Sequence, residues 1–218
     1  MSRLIPIRKP LLCCVTDGQA GLHPSRASIE TLLEKISHAA NAGVDWIQIR
    51  EKGLPARRLS EISQEAIRRV PKECRMLIND RLDVAIAVGA GGVHLGERSV
   101  SVADAKSMVS TQRNLNNFVV GASVHSLEAA LKSEQEGADY LIFGPIFATP
   151  SKVSYGPAQG LPQLEKICRS VSTPVLAIGG ITQQNAQECL EHGAAGIAAI
   201  RLFQESQNLQ AWIQSLRR

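Results

Sequence analysis

The chain has 218 residues and a formal net charge of +4, from 24 basic and 20 acidic side chains. This small, scattered excess gives no argument for nucleic-acid binding, and no apolar run reaches the roughly 18 residues of a membrane span. Hydrophobic residues make up 44% of the chain and aromatic ones only 4%, so the core must consist of the aliphatic residues that fill parallel sheets and barrels. The five cysteines lack metal-type pairing, which favours free thiols in a reducing cytoplasm.

Unbroken apolar runs predict the buried strands of a parallel sheet. Such runs occur at residues 11–17, 45–51, 75–80, 92–96, 117–123, 139–144, 174–180 and 193–200. Helical spacing predicts helices over residues 29–42, 58–70, 82–88, 102–110, 127–135 and 162–171, a helix that opens at Ile181, and a last helix over 209–216. Residues 18–28 are rich in Gly, Pro and Ser and are predicted to form a loop, with Ser28 as the N-cap of the first helix.

A weak internal repeat organises these elements. Gly43, Gly89, Gly137 and Gly193 each end a predicted helix just before an even-numbered strand, where a left-handed glycine stops the helix. Eight strands in four such units predict a single (β/α)8 TIM barrel over residues 1–218, with an extension at 1–10, the barrel at 11–203 and a C-terminal helix at 204–218. An open doubly wound sheet is the alternative, but the chain has no G-x-G-x-x-G turn after its first strand.

Polar residues follow the C-terminal ends of the strands, where barrels carry their chemistry. A diphosphate needs cations and short donors, and Mg²⁺ takes carboxylate oxygens such as those of Asp80. The paired glycines after strand seven offer bare N–H groups for a second phosphate. The polar set comprises Gln48, Arg50, Lys52, Asn79, Asp80, His94, Ser123, His125, Thr149, Ser151, Lys152, Gly179 and Gly180.

Each of these residues also has a structural interpretation. Arg50-Glu51-Lys52 could be a solvated charged turn, and Asp80 could cap the helix that follows it. His94 fits a hydrogen-bonded core histidine, His125 a helix cap, and the glycine pair a tight turn. The functional interpretation is favoured because the polar residues fall at the same ends of six different strands.

Several ordered motifs resemble the thiamin phosphate synthase / TenI superfamily, from about Cys14 to Phe203. They are Gln48-Ile-Arg-Glu-Lys52, Ile78-Asn-Asp80, Gly92-Val-His-Leu-Gly96, Gly121-Ala-Ser-Val-His125, the run from Gly144 to Lys152, and Ala177-Ile-Gly-Gly-Ile181. The resemblance implies a TIM barrel and a reaction that joins hydroxymethylpyrimidine diphosphate to a thiazole phosphate with release of pyrophosphate.

The resemblance also implies roles for individual residues. Asp80 would bind Mg²⁺, and Gly179 and Gly180, with Arg201 near the eighth strand, would lie at the thiazole phosphate. Ser123, Lys152 and His125 are the candidate catalytic residues. The residues implied to hold the pyrimidine diphosphate are Gln48, Arg50, Lys52, Asn79, Thr149, Ser151 and Lys152.

Two positions depart from the synthase pattern. Ser99 stands where the family carries a second Mg²⁺ carboxylate, and Arg201 stands where the family usually has Ser. TenI-type thiazole tautomerases, which need no metal, also lack that carboxylate and use a histidine that matches His125 as acid and base. The synthase is therefore the first expectation, a tautomerase the second, and a non-catalytic protein that binds thiamin precursors the third. All three imply small phosphorylated ligands, and all three are compatible with a homo-oligomer.

Overall fold

A computed structural model describes residues 10–112, 115–148 and 157–217 of the chain. Its parallel strands pair in sequence order, and the last pairs with the first, so they form a closed barrel. This confirms the predicted TIM barrel and excludes the open sheet. The strands are β1 Leu11–Val15, β2 Trp46–Ile49, β3 Arg75–Asn79, β4 Gly92–Leu95, β5 Val119–Val124, β6 Tyr140–Phe143, β7 Val175–Ile178 and β8 Gly196–Ala199.

Helices surround the barrel, and no helix in the described part of the chain is long and apolar enough to cross a membrane. They are α1 Gln19–Leu22, α2 Arg26–Asn41, α3 Ala56–Arg69, α4 Leu82–Ala87, α5 Val102–Ser110, α6 Leu127–Gln135, α7 Gly160–Ser170, α8 Ala186–Glu191, α9 Arg201–Gln204 and α10 Leu209–Leu216.

Four local predictions were wrong. The helix predicted to open at Ile181 begins at Ala186, after a turn over residues 183–185. The helix predicted from residue 29, with Ser28 as its N-cap, begins at Arg26. Its N-cap is Ser25, whose side chain accepts the Ser28 N–H, while the Ser28 side chain accepts the Ser25 N–H. The region predicted as a loop contains α1, and α9 follows β8 directly, where no helix was predicted. Both missed helices are single turns of four residues, too short to show a hydrophobic period.

The repeated glycines adopt the predicted left-handed conformation. Gly43, Gly89, Gly137 and Gly193 have φ angles of 101°, 66°, 89° and 91°. Each N–H bonds to the carbonyl three residues earlier, which ends the preceding helix and turns the chain into the next strand.

The barrel interior is filled by large side chains set against small ones. Trp46 and Tyr140 lie edge to face inside it, with ring centroids 4.8 Å apart. Gly121 makes room for them, since a Cβ there would lie 2.0 Å from the Tyr140 ring. The interior is therefore a packed core, and only the barrel ends offer space for a ligand.

Arg217 closes the N-terminal end of the barrel. Its guanidinium donates to the Gly43 carbonyl at 3.0 Å and pairs with Asp45 at 2.5 Å, and Asp45 also accepts the Leu12 N–H at 2.8 Å. The Arg217 and Asp45 side chains are only 14% and 19% exposed. This pair therefore connects the C-terminal helix to the first two strands in a poorly solvated place.

We expect Arg217→Met to lower the free energy of unfolding by about 2–4 kcal/mol, because it leaves the sheltered Asp45 carboxylate without its cation. Arg169→Met is the matched control, since Arg169 pairs with Glu165 but is 79% exposed. The control should change stability by less than about 0.5 kcal/mol. Urea unfolding measures both, and equal effects would contradict the role of Arg217.

Candidate active site

A row of amides and a carboxylate crosses the C-terminal ends of β2 and β3. The Gln48 Nε2 group donates to Asn79 Oδ1 at 2.9 Å, and the Asn79 Nδ2 group donates to Asp80 Oδ2 at 2.8 Å. The amide oxygen of Gln48, Oε1, is buried and has no hydrogen-bond partner among the described residues. A buried acceptor without a partner is costly, so Gln48 is suited to take a donor from a ligand.

Asp80 directly follows β3 at this end of the barrel. It is the only described non-glycine residue with a positive φ, 62°, and it does not cap α4, so the capping interpretation was wrong. Its Oδ1 atom accepts the Gly96 N–H at 3.2 Å and the Ser99 hydroxyl, while Lys52 Nζ lies 3.9 Å from Oδ2. Such a strained backbone is typical of functional sites.

The donors around Asp80 keep it ionised. Burial alone would raise its pKa, but the Ser99 hydroxyl, the Gly96 N–H, the Lys52 charge and the Asn79 amide together hold the pKa below its ordinary value. An ionised carboxylate is a suitable ligand for Mg²⁺.

The residues fit a weakly held magnesium ion. No group of three or more His, Cys, Asp and Glu within the described ranges could hold a metal, so Asp80 would act without a cluster of protein ligands around it. Mg²⁺ is often held by one carboxylate, with substrate phosphates and water completing its shell. Glu97 is exposed, and Ser99, the position of the second carboxylate in the synthase pattern, donates its hydroxyl to Asp80.

The interpretation of Arg50-Glu51-Lys52 as a solvated charged turn was wrong for its middle residue. Arg50 and Lys52 reach solvent, but Glu51 between them is 3% exposed. Its carboxylate accepts hydrogen bonds from the segment that follows β1. The burial of Glu51 was not predicted, because a glutamate between two basic residues has the sequence pattern of an exposed turn.

Ser123 is connected to a buried histidine. His94 Nε2 lies 2.8 Å from Ser123 Oγ, and His94 Nδ1 lies 3.0 Å from the Tyr140 hydroxyl. His94 is 2% exposed, which agrees with a satisfied core histidine. The pair fixes Ser123 at the floor of the mouth.

His125 is held at the edge of the mouth. Its Nδ1 atom lies 2.5 Å from the Gly144 carbonyl oxygen. Ser126, not His125, caps α6, so the capping interpretation of His125 was wrong.

The paired glycines form a tight loop after β7. Gly179 and Gly180 have φ angles of 99° and 66°. Asn185 closes the loop, because its side chain accepts the Thr182 N–H at 2.8 Å and donates to the Gly180 carbonyl at 3.1 Å. A Cβ on Gly180 would lie 2.7 Å from the Phe147 carbonyl oxygen. The loop therefore needs glycine both for its conformation and for its space.

Arg201 is the first residue of α9, directly after β8, and its side chain is exposed. No ion pair joins it to another described residue. Thr149, Ser151 and Lys152 lie outside the described residues.

A cavity of about 900 Å³ lies at the opposite end of the barrel, lined by Asp45, Trp46, Arg75, Phe118 and Arg217 among others. It contains none of the residues predicted for the site. We place the site at the mouth, because parallel barrels carry their chemistry at the C-terminal ends of the strands.

Comparison with known proteins identifies related sequences and structures. The family model described as thiamine monophosphate synthase matches residues 12–203. A thiamine-phosphate synthase of Methanoculleus marisnigri is 42% identical over 208 residues, which are 94% of this chain and 93% of that protein. A putative thiamine-phosphate synthase of Geobacter sulfurreducens is 42% identical over 171 residues, 78% of each chain. A solved thiamine phosphate pyrophosphorylase from Pyrococcus furiosus has a TM-score of 0.79 at 34% identity and covers 96% of both chains.

We expect Gly180→Ala to destabilise the protein more than Gly89→Ala. Both glycines have a φ of 66°, but a Cβ at Gly89 meets nothing within 4 Å. Gly89→Ala should cost about 1 kcal/mol from backbone strain alone, and Gly180→Ala about 1–3 kcal/mol more from overpacking against Phe147 and Ala148. Urea unfolding of the two variants measures the difference, and equal losses would show that the loop has room for a side chain.

Proposed function

The chain belongs to the thiamine monophosphate synthase family, and from that premise we propose that it joins hydroxymethylpyrimidine diphosphate to a thiazole phosphate and releases pyrophosphate. The observation that carries the proposal is the hydrogen-bonded row of Gln48, Asn79 and Asp80 with Lys52 beside it. A tautomerase has no diphosphate to bind, so these groups favour the synthase.

The mouth supplies separate sites for the two substrates. Arg50, Lys52 and Asn79 would bind the diphosphate through charge-assisted hydrogen bonds, with Thr149, Ser151 and Lys152 added by resemblance. The glycine loop at Gly179 and Gly180 would bind the thiazole phosphate through backbone N–H groups. The loop lies after β7 and the diphosphate residues after β2 and β3, so the two anions meet across one mouth.

The reaction replaces one bond by another. The bond between the pyrimidine methylene carbon and the diphosphate oxygen breaks, and its electron pair leaves with the diphosphate. The thiazole nitrogen then gives its lone pair to that carbon. Arg50 and Lys52 stabilise the negative charge that grows on the leaving group, and Ser123 orients the pyrimidine ring. A magnesium ion held by Asp80 would supply further positive charge at the diphosphate.

We also propose a cytoplasmic location and small phosphorylated ligands. All five cysteines are free thiols and four of them are buried, which supports a reducing, cytoplasmic location. Small phosphorylated molecules are the proposed ligands, and nothing in the charge pattern favours nucleic acid.

The tautomerase is the second candidate, favoured by one observation. Ser99, which stands at the position of the second carboxylate in the synthase pattern, donates a hydrogen bond to Asp80. The mouth also contains His125, a residue suited to moving a proton on a thiazole ring. The relatives described above are named as synthases, which favours the first candidate.

We expect the purified chain to release pyrophosphate when supplied with both substrates and Mg²⁺, and Asp80→Asn to lower kcat by about 100-fold, since it removes the carboxylate that would hold Mg²⁺ at the leaving diphosphate. Asp83→Asn is the control, because Asp83 is a 63% exposed carboxylate three residues away that pairs with Arg81. It should stay within twofold of the original rate. No pyrophosphate at high enzyme concentration would refute the synthase, and isomerisation of thiazole carboxylate phosphate in the same sample would establish the tautomerase.

We expect Ser99→Asp to strengthen metal binding about 10-fold, because a second carboxylate beside Asp80 adds a ligand. Without metal, the two carboxylates should repel each other and lower the melting temperature. Mn²⁺ titration followed by electron paramagnetic resonance, with pyrophosphate present, measures binding apart from turnover. Ser107→Asp on the exposed face of α5 is the control, and an equal gain there would point to nonspecific attraction.

A further inference from the structure

Glu51 is a buried carboxylate between two cations that face the mouth. It is 3% exposed, while Lys52 beside it is about half exposed. A buried carboxylate needs donors to offset its loss of water. Among the described residues, every group that donates a hydrogen bond to the Glu51 side chain belongs to one neighbouring segment, residues 16–21 after β1.

Three hydrogen bonds connect Glu51 to that segment. The Thr16 hydroxyl donates to Oε1 at 2.7 Å, the Gly18 N–H donates to Oε1 at 3.2 Å, and the Gly21 N–H donates to Oε2 at 2.7 Å. Thr16 is fully buried. Burial raises the pKa of Glu51 and the hydrogen bonds from Thr16 and Gly21 oppose this, so these donors stabilise the charged form.

Thr16 joins the same two segments a second time. Its hydroxyl oxygen accepts the Arg50 N–H at 2.8 Å while its proton goes to Glu51. Its own N–H donates to the Gln48 carbonyl at 3.0 Å. The backbone that leads into Arg50 and the Glu51 side chain that follows it are therefore both fixed by Thr16, the residue directly after β1.

The two segments touch backbone to backbone. A Cβ on Gly53 would lie 2.2 Å from the Gly21 carbonyl oxygen. The Arg50 side chain extends back over the segment, with a guanidinium nitrogen 4.0 Å from the position of a Gly18 Cβ. The Arg50 side chain thus lies against residues 16–21, the segment that the hydrogen bonds to Glu51 hold in place.

We propose that Glu51 is a positioning residue that holds Arg50 and Lys52 in the geometry that binds the diphosphate group. The proposal rests on the proposed function, since it assigns these two cations to the diphosphate. Glu51 does not touch the ligand. It acts through the backbone of its two neighbours, and its charge is turned away from the ligand into the hydrogen bonds of residues 16–21.

The test is Glu51→Gln, which keeps the size of the side chain but places an NH₂ group against an N–H or O–H donor. We expect the dissociation constant for inorganic pyrophosphate with Mg²⁺, measured by calorimetry without turnover, to rise about 10-fold. The KM for the pyrimidine diphosphate should rise by a similar factor. The KM for thiazole phosphate should stay within twofold, because its proposed loop lies after β7.

Glu134→Gln is a matched control. Glu134 accepts the same set of donors as Glu51, two backbone N–H groups and one threonine hydroxyl, from Ser172 and Thr173 at distances of 2.6 to 3.0 Å. These residues precede β7 and so lie at the end of the barrel away from the mouth. All three donors reach Oε1 of Glu134, whereas the donors to Glu51 use both oxygens, so the amide of Glu134→Gln can keep its hydrogen bonds. Glu134→Gln should therefore change the melting temperature little and leave pyrophosphate binding unchanged. Equal weakening of pyrophosphate binding by both variants would show a general loss of stability and overturn the proposal.

The remaining outcomes separate the proposal from the function on which it rests. A wild-type chain that binds no pyrophosphate would refute the proposed function. Wild-type binding that is unchanged in Glu51→Gln would refute only the role of Glu51. If Glu51→Gln does not fold, Thr16→Val removes the hydroxyl that joins Glu51 to the Arg50 N–H and leaves the carboxylate in place. It should weaken pyrophosphate binding several-fold, and wild-type affinity in that variant would equally overturn the proposal.

Discussion

The pairing of β1 with β8 is the interaction on which the rest of the structure depends. It joins Leu11 to Gly196 and the residues that follow, and it turns an eight-strand sheet into a closed ring. The approach is so close that a Cβ on Gly196 would lie 2.0 Å from the Leu11 carbonyl oxygen. Closure brings the ends of β2, β3, β5 and β7 to one mouth, where residues far apart in sequence come together.

The fold could be predicted because its signals are local. Apolar runs mark the strands, and four left-handed glycines mark the passage from helix to even-numbered strand. The helix start at Arg26 and the two single-turn helices were missed, because capping at Ser25 and one turn of chain leave almost no period to detect. The ends of elements depend on hydrogen bonds that a pattern of residue types does not specify.

The site could be predicted less completely. Spacing and resemblance predicted Gln48, Asn79, Asp80 and Ser123 as site residues; in the structure the first three form one hydrogen-bonded row, and Ser123 bonds to His94. The burial of Glu51 could not be predicted, because its donors come from a segment about 30 residues earlier, and only the fold brings the two together. The hydrogen bond from Ser99 to Asp80 could not be predicted either, because the two residues lie 19 positions apart and only the fold brings them together.

The packing of the barrel interior has a spectroscopic consequence. The chain has two tryptophans. Trp46 is enclosed in the barrel against Tyr140, while Trp212 of the last helix lies on the outer layer with its ring 6.2 Å from that of Phe203. One fluorophore therefore reports on the closed ring and the other on the docking of the last helix. Single-tryptophan versions of the chain would let the emission of each be followed separately during unfolding.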